Sequence, residues 1–285
     1  MNNQETSSPG VVPGSMAQVG IVVKYTFLDY FRSRRFAILL AITLAISVLL
    51  TAIVGYYRPS SFLDNQVLGF YNSWWGMTAS LVVILSGIFF GGDAISGEFQ
   101  NKTGYFVVAN PIRRSSIYVG KWLAAFTAAT VILAIFTMIT VGNGLYYFGA
   151  SIPYQFGESL LFSWFYLASV LGFTFFFSSL FKSSSYSILV TAILFLFAFS
   201  IIESVVAGLA QVEPWFIITY GAGIIGNVMQ SQYPQHQITQ TLPGPRHLTF
   251  TTYNVTIPEG LAILGVYFVL TSILGLLLFE RKEFN

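Results

Sequence analysis

Residues 36–56 read FAILLAITLAISVLLTAIVGY, an apolar stretch without a charged side chain. A helix needs about 20 such residues to cross the hydrocarbon core of a bilayer. Only 8% of the 285 residues are charged, and the mean hydropathy is +0.70. Soluble proteins carry far more charge on their surfaces. The chain is therefore predicted to be an integral membrane protein of the helical kind.

Five further apolar runs are long enough to cross the bilayer. The predicted spans cover residues 36–56, 74–91, 122–146, 160–181, 185–206 and 261–279. The predicted fold class is an all-α polytopic membrane protein with six transmembrane helices in a single domain, residues 19–285. Residues 1–18 are polar and rich in Ser, Pro and Gly, and they are expected to form a disordered tail.

Lysine and arginine predict the orientation, because cytoplasmic loops carry an excess of both residues. The protein is predicted to lie in the plasma membrane with both termini in the cytoplasm. In this orientation, eleven of the thirteen basic residues lie on the cytoplasmic side. The inner residues are Lys24, Arg32, Arg34, Arg35, Lys102, Arg113, Arg114, Lys121, Lys182, Arg281 and Lys282. Only Arg58 and Arg246 fall on the outer side.

Residues 19–35 show helical periodicity before the first span. Phe27 and Tyr30 fall on one side, whereas Lys24 and Arg32 fall on the other. A helix with this pattern lies in the membrane interface, so the segment is expected to be an in-plane amphipathic helix. A simple basic anchor beside the span is the alternative.

The outer loop, residues 207–259, is the longest connection. Residues 215–229 are apolar but too short to span, which predicts a re-entrant helical element before the last span. Residues 230–258 are polar and form either a cap over the outer mouth or a flexible lid. The sequence GAGIIG at 221–226 matches the dinucleotide fingerprint by letter only, because no βαβ unit surrounds it. Close helix packing explains these small residues better.

No catalytic, cofactor-binding or metal-binding residues are predicted in this chain. The phosphate-binding loop and the common hydrolase motifs do not occur in the sequence, so the chain is not expected to be an enzyme. His236 and His247 lie in the outer loop without the spacing of metal ligands. Solvated loop positions are the expected places for both.

Glu203 is the one carboxylate well inside an apolar run. Carboxylates within membrane spans often mark transport paths. Glu203 is thus a candidate for a transport path, which would suit an ion-coupled secondary transporter. Its place near the outer end of the fifth span equally suits an interfacial or capped carboxylate. A membrane-embedded enzyme is ranked last, because no nucleophile and base are recognisable.

The inner loop, residues 92–121, is longer than a simple connection needs and carries both signs of charge. An acidic residue leaves the second span and a glutamate follows five positions on. A lysine–threonine pair, a proline, two arginines and a lysine that opens the third span complete the order. These residues are Asp93, Glu98, Lys102, Thr103, Pro111, Arg113, Arg114 and Lys121.

With these loop residues, the chain resembles the membrane-spanning permease subunit of an ABC transporter of the type-2 exporter-like family. That family includes drug, polysaccharide and copper-maturation systems. The six spans, the in-plane helix, the re-entrant element and the ending Phe279-Glu280-Arg281-Lys282 are similar as well. The resemblance therefore covers almost the whole chain.

The resemblance implies an ATP-driven exporter that is coupled to a separate soluble P-loop ATPase. Two ATPase copies would dock on the inner face, and they would bind ATP and Mg²⁺, for which this chain has no site. The coupling helix maps to about residues 95–108, and the eight loop residues named above form the implied ATPase-coupling set. A second permease copy, as a homodimer or heterodimer, would complete the transport path in the lipid bilayer. No nucleic-acid partner is expected at a net charge of +2.

Overall fold

The structure is a computed structural model that describes residues 14–58, 67–101, 112–149, 151–241 and 249–282. Within these residues, six helices are long and apolar enough to cross a membrane. They are span 1 (Arg34–Tyr57), span 2 (the successive segments Val67–Tyr71, Asn72–Gly76 and Met77–Gly91), span 3 (Arg114–Phe148), span 4 (Tyr154–Leu180), span 5 (Ser184–Gly208) and span 6 (Ile257–Arg281). The predicted fold class of an all-α polytopic membrane protein is confirmed.

The observed helices extend beyond most of the predicted apolar runs. Span 3 begins at Arg114 rather than Trp122, because polar residues continue a helix past the apolar core of the bilayer. Span 6 begins at Ile257, where Thr256 and Glu259 form a capping box. Such a box satisfies backbone N–H groups that have no partner within the helix, so the helix starts before its apolar run.

A separate helix, Ser15–Arg32, precedes span 1 and is called the lead helix. Ser33 separates the two, and its Oγ accepts a hydrogen bond from the backbone N of Phe36 at 3.2 Å. Serine is a favoured residue at helix N-termini for this reason. The lead helix packs on the start of span 3, where a Cβ on Gly120 would lie 2.7 Å from the Val22 side chain.

The lead helix includes residues 15–18, which were expected to be part of a disordered tail. Gln18 is buried there, and its Oε1 accepts a hydrogen bond from the backbone N of Arg113 at 3.2 Å. This contact with a residue distant in sequence extends the helix beyond its local pattern. Residues 1–13 of the predicted tail lie outside the described residues.

Span 2 is the most buried of the six, whereas spans 1, 5 and 6 are the least buried. Trp75 of span 2 stacks on Phe136 of span 3 with ring centroids 5.5 Å apart. Its indole N–H donates to Ser159 Oγ of span 4 at 3.0 Å. Buried Trp N–H groups usually find such a partner. Span 2 therefore forms the centre around which the other spans pack.

The bundle has two ends with different contents. The lead helix, the segment after span 2 and the end of span 6 meet at one end, called the charged end. Residues 209–241 and 249–256 lie at the other end, called the hairpin end.

Two short helices, Ile218–Gly221 and Ile224–Asn227, follow span 5 and form the re-entrant element. They are buried against spans 2, 4 and 6 and return the chain to the hairpin end. A Cβ on Gly260 of span 6 would lie 2.4 Å from the Ile224 side chain and 2.8 Å from the Gly221 carbonyl oxygen. The close packing predicted for the small residues at 221–226 is thus confirmed.

The strands Gln237–Thr241 and Thr249–Tyr253 pair antiparallel, with Gln237 opposite Tyr253. The polar composition of this segment predicts only a cap or a flexible lid and no strand. Threonine recurs in both runs, with isoleucine in the first and two aromatic residues in the second, and these residue types are a strand signal. The Tyr253 hydroxyl donates to the Gln211 carbonyl oxygen at 2.7 Å. This bond holds the hairpin against the segment that follows span 5.

Candidate functional site

Residues 92–100, called the elbow, turn the chain away from span 2 and continue as the short helix Ser96–Gln100. The first N–H groups of any helix have no partner within it. Here the backbone N–H groups of Ile95 and Ser96 both donate to Ser178 Oγ of span 4, at 2.9 Å each. A buried serine from another span therefore caps the elbow helix.

Two ion pairs join the elbow to spans 1 and 3. Asp93 pairs with Arg35, and Glu98 pairs with Lys121. The Asp93 and Lys121 side chains are only 11% and 14% exposed. Lys121 Nζ also donates to the Ala94 carbonyl oxygen at 2.9 Å. Removing one partner of a largely buried pair is costly, because the other charge loses its compensation. The pairs therefore fix the elbow in place.

The lead helix contacts the elbow region through Tyr30. Its hydroxyl donates to the Phe90 carbonyl oxygen of span 2 at 2.9 Å. Burial raises the pKa of the Tyr30 phenol well above its ordinary value, and the negative charge of Asp93 raises it further. Tyr30 therefore stays protonated and keeps its hydrogen bond at any physiological pH.

Span 5 meets the elbow at its first residue. The backbone N of Ser184 donates to Gln100 Oε1 at 2.7 Å. An elbow side chain thus accepts from the first N–H of span 5, which has no partner within that helix.

Lys282 joins the ends of spans 4 and 6 to the elbow. Its Nζ donates to the carbonyl oxygens of Ser179 and Phe181 at 2.8 Å each and lies 4.3 Å from the ring centroid of Phe99. Carbonyl groups at a helix C-terminus lack partners and carry partial negative charge, so they accept hydrogen bonds from the Lys282 side chain. Burial lowers the pKa of Lys282 to about 8, and the positive charge of Lys182 adds to the effect.

Arg114 ties span 3 to the end of span 6. Its Nη1 donates to the Glu280 carbonyl oxygen at 2.8 Å and to the Lys282 carbonyl oxygen at 2.9 Å. These two hydrogen bonds and the contacts described above join the charged end into one network. The lead helix and all six spans contribute to it.

A family model described as "ABC-2 family transporter protein" matches residues 21–284. The chain belongs to the ABC-2 transporter family. A search of curated protein sequences found no match to it. The family membership confirms the resemblance to an ABC permease. It identifies the chain as a multi-pass permease subunit of an ABC transporter and as a transport protein rather than an enzyme.

The permease brings the described members of the predicted coupling set together at the charged end. Four of them use their side chains for contacts within the chain, namely Asp93, Glu98, Arg114 and Lys121. Arg113 is bonded through its backbone N–H. The other three members, Lys102, Thr103 and Pro111, lie outside the described residues, as does the expected coupling helix beyond residue 101. Their role as contacts of an ATPase stays a prediction.

Three further residues of the charged end were not predicted from the sequence as site residues. Arg35, Ser178 and Lys282 supply the partners of the elbow or of its neighbours. In the sequence, Arg35 is an orientation signal, Lys282 is an orientation signal and part of the ending that resembles the family, and Ser178 lies within an apolar run. No local motif marks them, because each meets its partner only through the packing of the spans.

Glu203 lies in span 5 near the hairpin end, away from the elbow. The Thr219 hydroxyl of the re-entrant element donates to Glu203 Oε2 at 3.1 Å. Glu203 also lines an open cavity of about 260 Å³ together with Pro214 and Tyr253. This is the geometry of a hydrogen-bonded carboxylate near a helix end. A role of Glu203 in transport stays a prediction.

Proposed function

We propose that this permease is the membrane part of an ATP-driven exporter and that a separate soluble P-loop ATPase drives it through the elbow. The elbow helix is capped by span 4, ion-paired with span 3 and hydrogen-bonded to span 5. Coupling between distant sites is carried by contiguous networks of packed and bonded groups. The observation that carries the proposal is that hydrogen bonds and ion pairs join the short elbow to several spans of the bundle.

The charged end is proposed to face the cytoplasm. Its network contains four basic residues, which are Arg35, Arg114, Lys121 and Lys282. Basic residues are enriched on the cytoplasmic side of membrane proteins. In this orientation both termini are cytoplasmic, and the exposed end of the elbow at Gln100 is on the side of a soluble partner. The plasma membrane is the proposed location, and the lead helix is proposed to lie along the inner leaflet.

The energy source is proposed to lie in the partner. The sequence contains no phosphate-binding loop of the G-x-x-x-x-G-K-[ST] type. ATP and Mg²⁺ would therefore bind to two ATPase copies on the cytoplasmic face. Closure of the ATPase pair would press on the elbow and on the lead helix, which Tyr30 joins to the end of span 2.

A second permease copy is proposed to complete the transport path. Spans 1 and 5 expose large apolar side chains, such as Val48 at 67% and Ile201 at 61%. In a bilayer these faces contact either lipid or another permease. Two permease copies with two ATPase copies form the proposed assembly, and export as its direction rests on the resemblance described above.

The test is purification of the tagged permease together with the P-loop ATPase of the same organism. Asn101 is exposed at the end of the elbow helix, and Ser151 is exposed at the hairpin end. Asn101→Trp is expected to reduce the recovered ATPase roughly fivefold or more, the effect of about 1 kcal/mol of interface energy. Ser151→Trp is the matched control and should recover as much ATPase as the wild type.

Equal recovery with both variants would contradict docking at the elbow. Transport by the purified permease alone, driven by an ion gradient and abolished by Glu203→Gln, would replace the proposal with the ion-coupled alternative. ATP hydrolysis is expected only when the ATPase is added.

A further inference from the structure

Three potential metal ligands converge at the hairpin end, far from the elbow. Glu213 follows span 5, His236 precedes the first strand, and Glu259 lies in the first turn of span 6. One donor atom from each side chain lies within 4.8 Å of the other two. The three residues come from separate parts of the chain, so only the tertiary fold brings them together.

The imidazole of His236 is held in the orientation that a metal ligand requires. Its Nδ1 lies 3.0 Å from the Asn254 carbonyl oxygen. A carbonyl oxygen can only accept a hydrogen bond, so Nδ1 carries the hydrogen. The other nitrogen, Nε2, then points to Glu213, with 3.4 Å between Nε2 and Oε2. Metal-binding histidines usually donate their second ring N–H to a carbonyl or carboxylate oxygen in this way.

Both carboxylates are also held by groups outside the cluster. The Tyr220 hydroxyl of the re-entrant element donates to Glu213 Oε1 at 2.6 Å. The backbone N of Thr256 donates to Glu259 Oε2 at 3.3 Å. These bonds leave Oε2 of Glu213 facing the imidazole. Supporting hydrogen bonds of this kind orient the ligands of metal sites in proteins.

The charge and the spacing of the three ligands select the class of ion. Two carboxylates and a neutral imidazole carry a charge that one divalent cation would balance. Zinc binds nitrogen and carboxylate oxygen at about 2.0–2.2 Å in a tetrahedron, which puts neighbouring ligand atoms about 3.3–3.6 Å apart. The distance from His236 Nε2 to Glu213 Oε2 falls in this interval. Calcium takes six to eight oxygen ligands and does not suit a site with an imidazole.

We propose that Glu213, His236 and Glu259 bind a divalent transition-metal ion of the zinc class. Three protein ligands leave a fourth position for water. The His236 side chain is 45% exposed, so an ion can enter from the solvent. A bound ion joins the segment after span 5, the hairpin and the start of span 6, and it therefore fixes the hairpin over the ends of two spans. The site involves no residue of the elbow and does not depend on an ATPase.

The test uses the full-length permease in lipid nanodiscs, purified through a tag without histidine and stripped of metal with a chelator. Zinc binding is measured by competition with a chromophoric chelator, and thermal unfolding is measured with and without zinc. We expect one zinc ion per chain and an increase in the melting temperature. His236→Ala should weaken binding by about tenfold or more, since loss of even a supporting group costs 10- to 100-fold.

His247→Ala is the control, because His247 is the other histidine of the sequence, and it should bind zinc as the wild type does. Glu213→Gln keeps the size of the side chain and should weaken zinc binding without unfolding the permease. Zinc affinity that is equal in the wild type and His236→Ala would overturn the site. A melting temperature that His236→Ala lowers and that zinc leaves unchanged would show an ion pair in its place.

Discussion

The two ends of the permease are stabilised by different chemistry. At the charged end, opposite charges are paired within the chain, as in Asp93 with Arg35 and Glu98 with Lys121. At the hairpin end, two carboxylates converge on a single histidine. Each acidic residue of the elbow therefore has a basic partner of its own, whereas two carboxylates share one histidine at the hairpin end.

The difference suggests a division of work between the ends. These ion pairs keep the elbow rigid, because one joins it to span 1 and the other joins it to span 3. A segment held in this way transmits a displacement instead of absorbing it. Two carboxylates that share a single histidine are instead suited to receiving a cation from the solvent. Perturbing one end should therefore leave the other end unchanged.

The largest expected effect is charge reversal at the elbow. Glu98→Lys places two positive charges side by side at a partly buried position and should destabilise the permease by about 3–5 kcal/mol. The double variant Glu98→Lys with Lys121→Glu restores an ion pair of reversed polarity. We expect it to recover most of the loss of thermal stability and of ATPase recovery, but not the bond from Lys121 to the Ala94 carbonyl oxygen.

The double variant also distinguishes the two possible roles of Glu98. Direct contact with an ATPase would leave the double variant as poor in ATPase recovery as the single variant. Zinc binding at the hairpin end should be the same in all three proteins, and a loss of binding in the folded single variant would break the separation between the ends.

Much of the fold could be predicted from the sequence because lipid imposes a simple rule. Each span must be apolar over about 20 residues, and residues 36–56 show this without further context. Helix ends follow local polar residues instead. The capping box of Thr256 and Glu259 was readable in the sequence, but the start of span 6 was placed later, at residue 261.

The candidate sites were less predictable, because their partners lie far apart in the chain. The loop pattern around Glu98 identified one side of the network through a family resemblance. Ser178 lies 82 residues from Ser96, and no spacing rule links the two. The same holds for Glu213, His236 and Glu259, which no short motif connects. The strands were missed for another reason, since their threonine-rich pattern was read as generic polarity.

A smaller effect is expected from crowding the contact between the re-entrant element and span 6. Gly260→Ala would place a Cβ 2.4 Å from the Ile224 side chain, and overpacking of this kind costs about 1–3 kcal/mol. The matched control is Gly157→Ala in span 4, where a Cβ meets no atom within 4 Å. Thermal unfolding should show destabilisation in the first variant only.

Gly260→Ala should also weaken zinc binding at the hairpin end, because Glu259 is its neighbour in the first turn of span 6. ATPase recovery should change little in the protein that remains folded. Equal stability of the two glycine variants would show that the re-entrant element can move away from span 6, and the hairpin end would then be less tightly packed than the charged end.

The smallest expected effect concerns Lys282, a cation of the charged end that is bonded to carbonyl oxygens and is only half-buried, so that solvent screens its charge. Burial and the charge of Lys182 lower its pKa from an ordinary 10.5 to about 8. Between these two values the unfolded chain binds more protons than the folded one, so stability rises with pH across this interval. Below about pH 8 both states are protonated and the cost of burying the charge is fully present.

Lys282→Met removes the titration. The melting temperature of the wild type should therefore rise relative to that of the variant as the pH increases from about 8 to about 10. A constant difference over that interval would mean that the carbonyl oxygens of Ser179 and Phe181 compensate the charge of Lys282 as fully as a carboxylate does. The basic side chain at the end of span 4 would then be compensated within the chain, as Arg35 and Lys121 are.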